Sequence, residues 1–233
     1  MTLGPADRTP GPAFLFDLDG TLLDSVYQHV LAWHEALLDA GMAVPAWSVH
    51  RRIGMSGGLF LGALAHETGR AFDEHDVSRL TAAHAAAFER MRATVRPLRG
   101  ARELLAHLSE RAVPWAIATS GVGLSARPAL ALLGVPDAVL VTRDDVRHAK
   151  PDPDLFLAAA DAIGAEPSRC VVVGDSIWDL LAARRAGILG LGVMTGGYGA
   201  GELERAGAYR VYEDPEDLLG RLYEVGVRPS ASR

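Results

Sequence analysis

The apolar run Ala13-Phe14-Leu15-Phe16 leads straight into Asp17-Leu18-Asp19-Gly20-Thr21-Leu22-Leu23-Asp24, and no other stretch restricts the fold as tightly. The run is too short for a helix and carries two aromatics, so it reads as a buried strand. On a strand, residues two apart point the same way, which sends Asp17 and Asp19 off the sheet side by side. Two ionised carboxylates about 4 Å apart repel by roughly 4 kcal/mol at an effective dielectric of about 20. A stable fold tolerates that only if one acid holds a proton or a cation lies between them. The plainer reading is a strand end followed by an Asp-Gly turn.

The remainder of the chain divides in two. From Asp24 to Arg96 there is helical periodicity and no strand signal. Val26, Val30, Trp33, Leu37 and Leu38 mark a helix over 24–40, closed by Gly41. A second helical stretch covers 49–66, interrupted by Gly54 and Gly57-Gly58, and a third covers 76–94. Beyond Pro97 and Gly100 the pattern alternates. Helices are expected over 102–111, 124–133, 153–163, 177–186 and 215–225. Strands are expected over 113–118, 138–141, 170–173 and 188–193. Strands alternating with helices imply a parallel sheet covered on both faces. The expected plan is an α/β core (13–23 and 95–228), an all-helical insert (24–94) and a disordered tail (1–12).

Composition excludes several classes. At 233 residues with 49% hydrophobic and 22% charged content, the chain is globular and can bury a sizeable core. No apolar run approaches the length of a membrane helix, and the N-terminus lacks the apolar heart of a signal peptide. A net charge of −6 disfavours nucleic acid or an acidic membrane as partner. Cys170, the single cysteine, has no disulfide partner in the chain, which fits a reducing cytoplasm. Of 23 basic residues only Lys150 is lysine. A position that stays lysine in so arginine-rich a chain points to a site too narrow for a planar guanidinium.

In an open α/β sheet, ligands gather at the carboxyl ends of the strands. There the chain places Asp17 and Asp19, then Thr119 and Ser120, then Asp175 and Asp179, with Lys150 between the third and fourth strands. The runs Asp17-Leu-Asp-Gly-Thr-Leu-Leu-Asp24, Ala118-Thr-Ser-Gly121, Ala149-Lys-Pro-Asp-Pro-Asp-Leu-Phe156 and Gly174-Asp-Ser-Ile-Trp-Asp179 resemble, in order, the four motifs of the haloacid dehalogenase superfamily. The helical insert is similar to its small-cap subclass, which includes phosphoglycolate phosphatases and β-phosphoglucomutases. The resemblance implies a Rossmann-like, doubly wound core and a Mg²⁺-dependent phosphatase acting on a small phosphorylated metabolite. It further implies Asp17 as nucleophile, Asp19 as general acid and base, and Lys150 as the charge-offsetting cation. Gly20, Thr21, Thr119 and Ser120 are expected to hold phosphate, with His29 and Arg52 as substrate contacts. Mg²⁺ would bind Asp17, the Asp19 main chain and Asp175, with Asp179 behind them.

Departures from the family pattern narrow the reaction. Haloacid dehalogenases proper carry a non-acid where Asp19 stands, and the lysine-free insert offers no amine for a Schiff base. Mutase-type relatives carry a cap arginine where Gly57 aligns, and often an acid where Gly174 stands. Arg51 and Arg52 lie close enough in sequence to replace that arginine, so a β-phosphoglucomutase-like phosphotransferase is the alternative. A phospho-receiver domain would lack the insert. A non-catalytic binding protein should have lost one of Asp17, Asp19, Lys150 or Asp175, and all are present. The glycine-rich segment 194–201 is expected to be a rim loop, because too few residues follow it for a dinucleotide fold.

Overall fold

The structure is a computed structural model that describes residues 12–227. The expected tail therefore lies, Pro12 apart, outside the described residues. The opening strand is β1 (Ala13–Phe16), followed by the two-residue β2 (Leu23–Asp24). Helices α1 (Val26–Asp39), α2 (Ala46–His50), α3 (Gly57–Thr68) and α4 (Glu74–Met91) come next, and β3 (Arg96–Pro97) brings the chain back. The alternating part comprises α5 (Ala101–Glu110), β4 (Trp115–Ala118), α6 (Gly123–Leu133), β5 (Leu140–Val141), α7 (Asp154–Ala162) and β6 (Cys170–Gly174). It ends with α8 (Ile177–Ala186), β7 (Leu189–Val193), α9 (Ala200–Ala206), β8 (Ala208–Tyr212) and α10 (Pro215–Gly220).

Six strands form one parallel sheet in the order β5-β4-β1-β6-β7-β8. The period-two alternation of the strands sorts their side chains between two apolar layers. Phe14, Phe16, Ile117, Val171 and Val173 pack with α5, α6 and α10 on one face. Ala13, Leu15, Ala116, Ala118 and Val172 pack with α7 and α8 on the other. After β5 the chain crosses over β4 and β1 to place β6 on the far side of β1. That reversal opens a crevice at the carboxyl end of β1, where this class of sheet binds ligands.

The insert buries its own apolar cluster. Val26, Val30, Trp33 and Leu37 from α1 meet Val49 from α2, Phe60, Leu61 and Leu64 from α3, and Leu80 from α4. Its two passages to the core run side by side, β2 pairing antiparallel with β3 through Leu23–Pro97 and Asp24–Arg96. This ribbon was not expected, because two residues are too short a run to carry a periodicity. Also unexpected were α9 and β8. In β8, Tyr209 and Arg210 are exposed at the sheet edge, so the strand lacks the apolar run that marks its neighbours.

Leu61 is fully buried within the insert. Leu61→Ala should leave a cavity costing about 2–5 kcal/mol. Hydrogen exchange should localise the loss, rising across α1–α4 while β1 and β6 keep their protection. Uniform acceleration across both parts would show that insert and sheet unfold as one unit.

Candidate active site

Residues Phe16 and Val173 are register partners on β1 and β6, and the Asp17 amide still donates to the Val173 carbonyl at 2.9 Å. Parallel pairing thus delivers Asp17 and Asp175 to the same rim. Helix α8 starts immediately afterwards, with Ser176 as its cap. The Asp179 Oδ2 accepts from the Ser176 amide (3.1 Å) and hydroxyl (2.5 Å), folding that carboxylate back toward the rim. One carboxylate oxygen from each of Asp17, Asp175 and Asp179 falls within 4.8 Å of the others, and all three residues are buried.

Lys150 enters this cluster from the segment before α7 and is itself fully buried. Its ammonium donates to Asp17 Oδ1 and to the Ala118 carbonyl (2.8 Å), and lies 2.8 Å from Asp179 Oδ1. The Phe156 ring sits 4.9 Å from it. Burial alone would lower the lysine's proton affinity, but Asp17 and Asp179 outweigh it and raise the pKa. Burial pushes Asp17 up to about 7, helped by Asp179 and Asp19 against the opposing pull of Lys150. Burial, then Asp179 and Asp17, push Asp175 well above the usual carboxylate range. Three carboxylates around one ammonium leave two negative charges uncompensated when all are ionised. An all-oxygen donor set with that excess fits a hard divalent cation and offers nothing that zinc prefers.

Asp19 makes its own contacts outside this cluster. Its Oδ1 accepts from Ser25 Oγ at 2.6 Å and lies 3.4 Å from His29 Nε2. Burial raises its pKa, but His29 and the Ser25 hydroxyl outweigh that, and the net shift is downward. His29 Nδ1 meets His84 Nε2 at 3.0 Å, and the Phe88 ring stacks on His29 at 4.0 Å. Burial, reinforced by His29, holds the His84 pKa well below the ordinary histidine value. Neither Ser25 nor His84 was singled out from sequence, since each occupies an ordinary helical or cap position. Asp19, His29, Phe88, Arg92, Gly121 and Ser125 border a cleft of about 40 Å³ between insert and sheet.

Other expected ligands fall differently. Thr21, read as a phosphate contact, donates instead to Asp175 Oδ1 (3.1 Å) and Asp17 Oδ2 (3.4 Å), tying the two acids together. Gly20 has its amide bonded to the Leu23 carbonyl and its own carbonyl bonded by Thr195, so its backbone is already engaged. A Cβ there would lie 2.5 Å from Asp175 Oδ2, so glycine is needed for the close approach. Arg52, read as a substrate contact, is turned to Ser48 and Glu67 within the insert, and the helical carbonyl and carboxylate there satisfy its guanidinium. Thr119 Oγ1 accepts from the Gly121 amide at 3.0 Å, shaping the turn after β4. The Ser120 hydroxyl is buried with no hydrogen-bond partner among the described residues.

No described helix is long and apolar enough to cross a membrane. A family model described as haloacid dehalogenase-like hydrolase matches residues 12–187. The chain is 38% identical over 185 residues to the validoxylamine A 7'-phosphate phosphatase of Streptomyces hygroscopicus subsp. limoneus, spanning 78% of this chain and 84% of the relative. It is 34% identical over 183 residues to hexitol phosphatase A of Escherichia coli K12, spanning 75% and 79%. A crystal structure of a hydrolase from Pseudomonas syringae superposes with a TM-score of 0.89 at 51% identity, covering 93% of this chain and all of that one. Together with the rim of acids around Lys150, these matches make the chain a member of the haloacid dehalogenase-like hydrolase family.

Proposed function

We propose that this hydrolase is a Mg²⁺-dependent phosphomonoesterase that cleaves a small phosphorylated metabolite through a phosphoaspartate on Asp17. The observation that carries the reading is the separation of two acid environments. Asp17, Asp175 and Asp179 share one ammonium and an excess of negative charge, while Asp19 stands apart with its own donors. That is the division of labour a nucleophile and a proton carrier need. The compounds in the names of the relatives, a validoxylamine phosphate and a hexitol phosphate, support a small phosphorylated metabolite as the substrate class.

Asp17, the Asp19 main-chain carbonyl and Asp175 would hold the Mg²⁺, with Asp179 behind them, and the ion would offset charge on the phosphate and keep Asp17 ionised. An Asp17 oxygen then attacks phosphorus. As that bond forms, the ester P–O bond breaks and its electron pair leaves on the substrate oxygen, which takes a proton from Asp19. The approaching phosphate dianion raises the proton affinity of Asp19, against the downward pull of His29. Asp19, now ionised, takes a proton from water as the water oxygen attacks phosphorus, and the bond to Asp17 breaks. Lys150 holds Asp17 in line throughout, and the free Ser120 hydroxyl is available to a phosphate oxygen.

Two packing features favour hydrolysis over the mutase alternative. A side chain at Gly174 would run into the Asp179 carboxylate, so an acid has no room there. A Cβ at Gly57 would lie 3.3 Å from Thr81 Oγ1 and 3.4 Å from the Trp33 ring, so a side chain there would have to push its neighbours aside. Nor does Arg52 substitute for one, since Ser48 and Glu67 hold it. The insert reaches this rim through His29 and His50, and on this reading it acts as a cap that swings to load substrate.

Asp17→Asn should abolish turnover of every ester. Asp19→Asn should lower kcat/KM for an alkyl phosphate by roughly 10²–10⁴-fold, and for p-nitrophenyl phosphate far less, because its leaving group departs without a proton. Steady-state kinetics on both esters checks this, and retained activity in Asp17→Asn would refute the nucleophile. Lys150→Arg should cost on the order of 10²-fold in kcat, since the planar group cannot reach Asp17, Asp179 and the Ala118 carbonyl from one buried position.

A further inference from the structure

The glycine-rich segment between β7 and α9 has no role in the chemistry above, yet it touches both the cap and the acids. On its inner side, Thr195 Oγ1 donates to the Gly20 carbonyl. The next residue, Gly196, is buried and packs so tightly on Asp175 that a Cβ would overlap the carboxylate. On its outer side, the Gly196 carbonyl accepts from His50 Nε2 of the cap at 2.8 Å. At Gly197, where φ is +85°, a Cβ would come within 2.8 Å of both His50 Nε2 and the Tyr27 hydroxyl. One thickness of backbone therefore separates a cap histidine from a metal-site carboxylate.

The neighbouring contacts hold the cap to that segment and to α8 and α9 on either side of it. The Tyr27 ring stacks on His50 at 5.4 Å. The Arg51 carbonyl accepts from Tyr198 (3.0 Å) and from Trp178 Nε1 (3.2 Å). The Arg51 guanidinium lies 4.0 Å over the Tyr198 ring and pairs with Glu202 at 2.7 Å. A backbone held on one side only can relax, whereas one held on both sides transmits displacement, because packed interiors are nearly incompressible.

We propose that residues 195–198 link the cap mechanically to the cation site. With the cap docked, His50 fixes Gly196, and Gly196 in turn walls Asp175 into its ligating position. His50 is a positioning residue for an ion it does not touch. Linkage then requires the converse, that the bound cation favours the docked cap by the same factor. The inference rests on Asp17 and Asp175 being the metal site.

The test is calorimetric titration of Mg²⁺ into the wild-type chain, His50→Leu and His50→Gln, without substrate. Hydrogen exchange over 46–58 is recorded in parallel, with and without Mg²⁺. His50→Leu should weaken Mg²⁺ binding roughly 5–10-fold, and His50→Gln, whose amide still donates, should recover most of that loss. Mg²⁺ should slow exchange over 46–58 in the wild type and not in His50→Leu. Equal affinity in wild type and His50→Leu, or wild-type cap exchange indifferent to Mg²⁺, overturns the link alone. A wild-type chain that takes up no Mg²⁺ overturns the metal reading and the link together. Should His50→Leu fail to fold, Arg51→Gln removes the Glu202 pair and is read by the same two measurements, with the same outcomes deciding.

Discussion

A single buried ammonium among three carboxylates is the constraint on which the rest of the site depends. Removing one member of a buried ion pair leaves an uncompensated charge and costs about 3–5 kcal/mol, so Lys150 cannot be spared. Nor does it suffice, because it offsets only one of the charges on Asp17, Asp175 and Asp179. Burial and mutual repulsion accordingly hold Asp17 and Asp175 above the ordinary carboxylate range. The fold maintains an arrangement that is at ease only when further positive charge arrives. On the function proposed above, a cation and the electrophilic phosphorus of an ester both answer that demand.

The architecture assigns the two acids of the first motif to different neighbours. Asp17 leaves β1 beside β6 and is committed to the sheet side, to Lys150 and Thr21. Asp19 lies two residues further and meets Ser25 and His29, which belong to the start of the insert. The core therefore sets the charge of Asp17, and the insert sets the proton affinity of Asp19. The His29–His84 pair that faces Asp19 is carried by α1 and α4 of the insert. On the function proposed above, the surroundings of the proton carrier therefore depend on where those helices sit.

Much of this was legible in the sequence, and what was missed has physical causes. The alternation after Pro97 predicted the order of strands and helices through α8 because fully buried parallel strands are continuous apolar runs. The acids and Lys150 were legible because buried charges need partners, and the fold class says where strand ends meet. Asp19 does raise the proton affinity of Asp17, as their spacing led one to expect, but it has other partners too. The backbone bends at Leu18, and the Asp19 carboxylate reaches Ser25 and His29. Thr21 and Arg52 were assigned to substrate by their chemistry, but nearer partners bind them first: Asp175 and Asp17 for one, Ser48 and Glu67 for the other. Edge strand β8 and the β2–β3 ribbon escaped notice because neither carries a buried run.

Glycine fixes the geometry of the carboxylates as surely as charge does. A Cβ at Gly20 or Gly196 would press on Asp175, and one at Gly174 would press on Asp179. These three positions wall the acids with main chain, where side chains elsewhere in the site do the same work more loosely. A side-chain wall can change rotamer, but a backbone wall moves only with its whole segment. Glycine costs conformational entropy on folding, and here the return is a pair of carboxylates with nowhere else to point. Catalysis by charge stabilisation works only when the stabilising groups need not reorganise during the reaction. Main chain packed against Asp175 and Asp179 meets that requirement in the docked arrangement, and it explains why glycine stands at 20, 174 and 196.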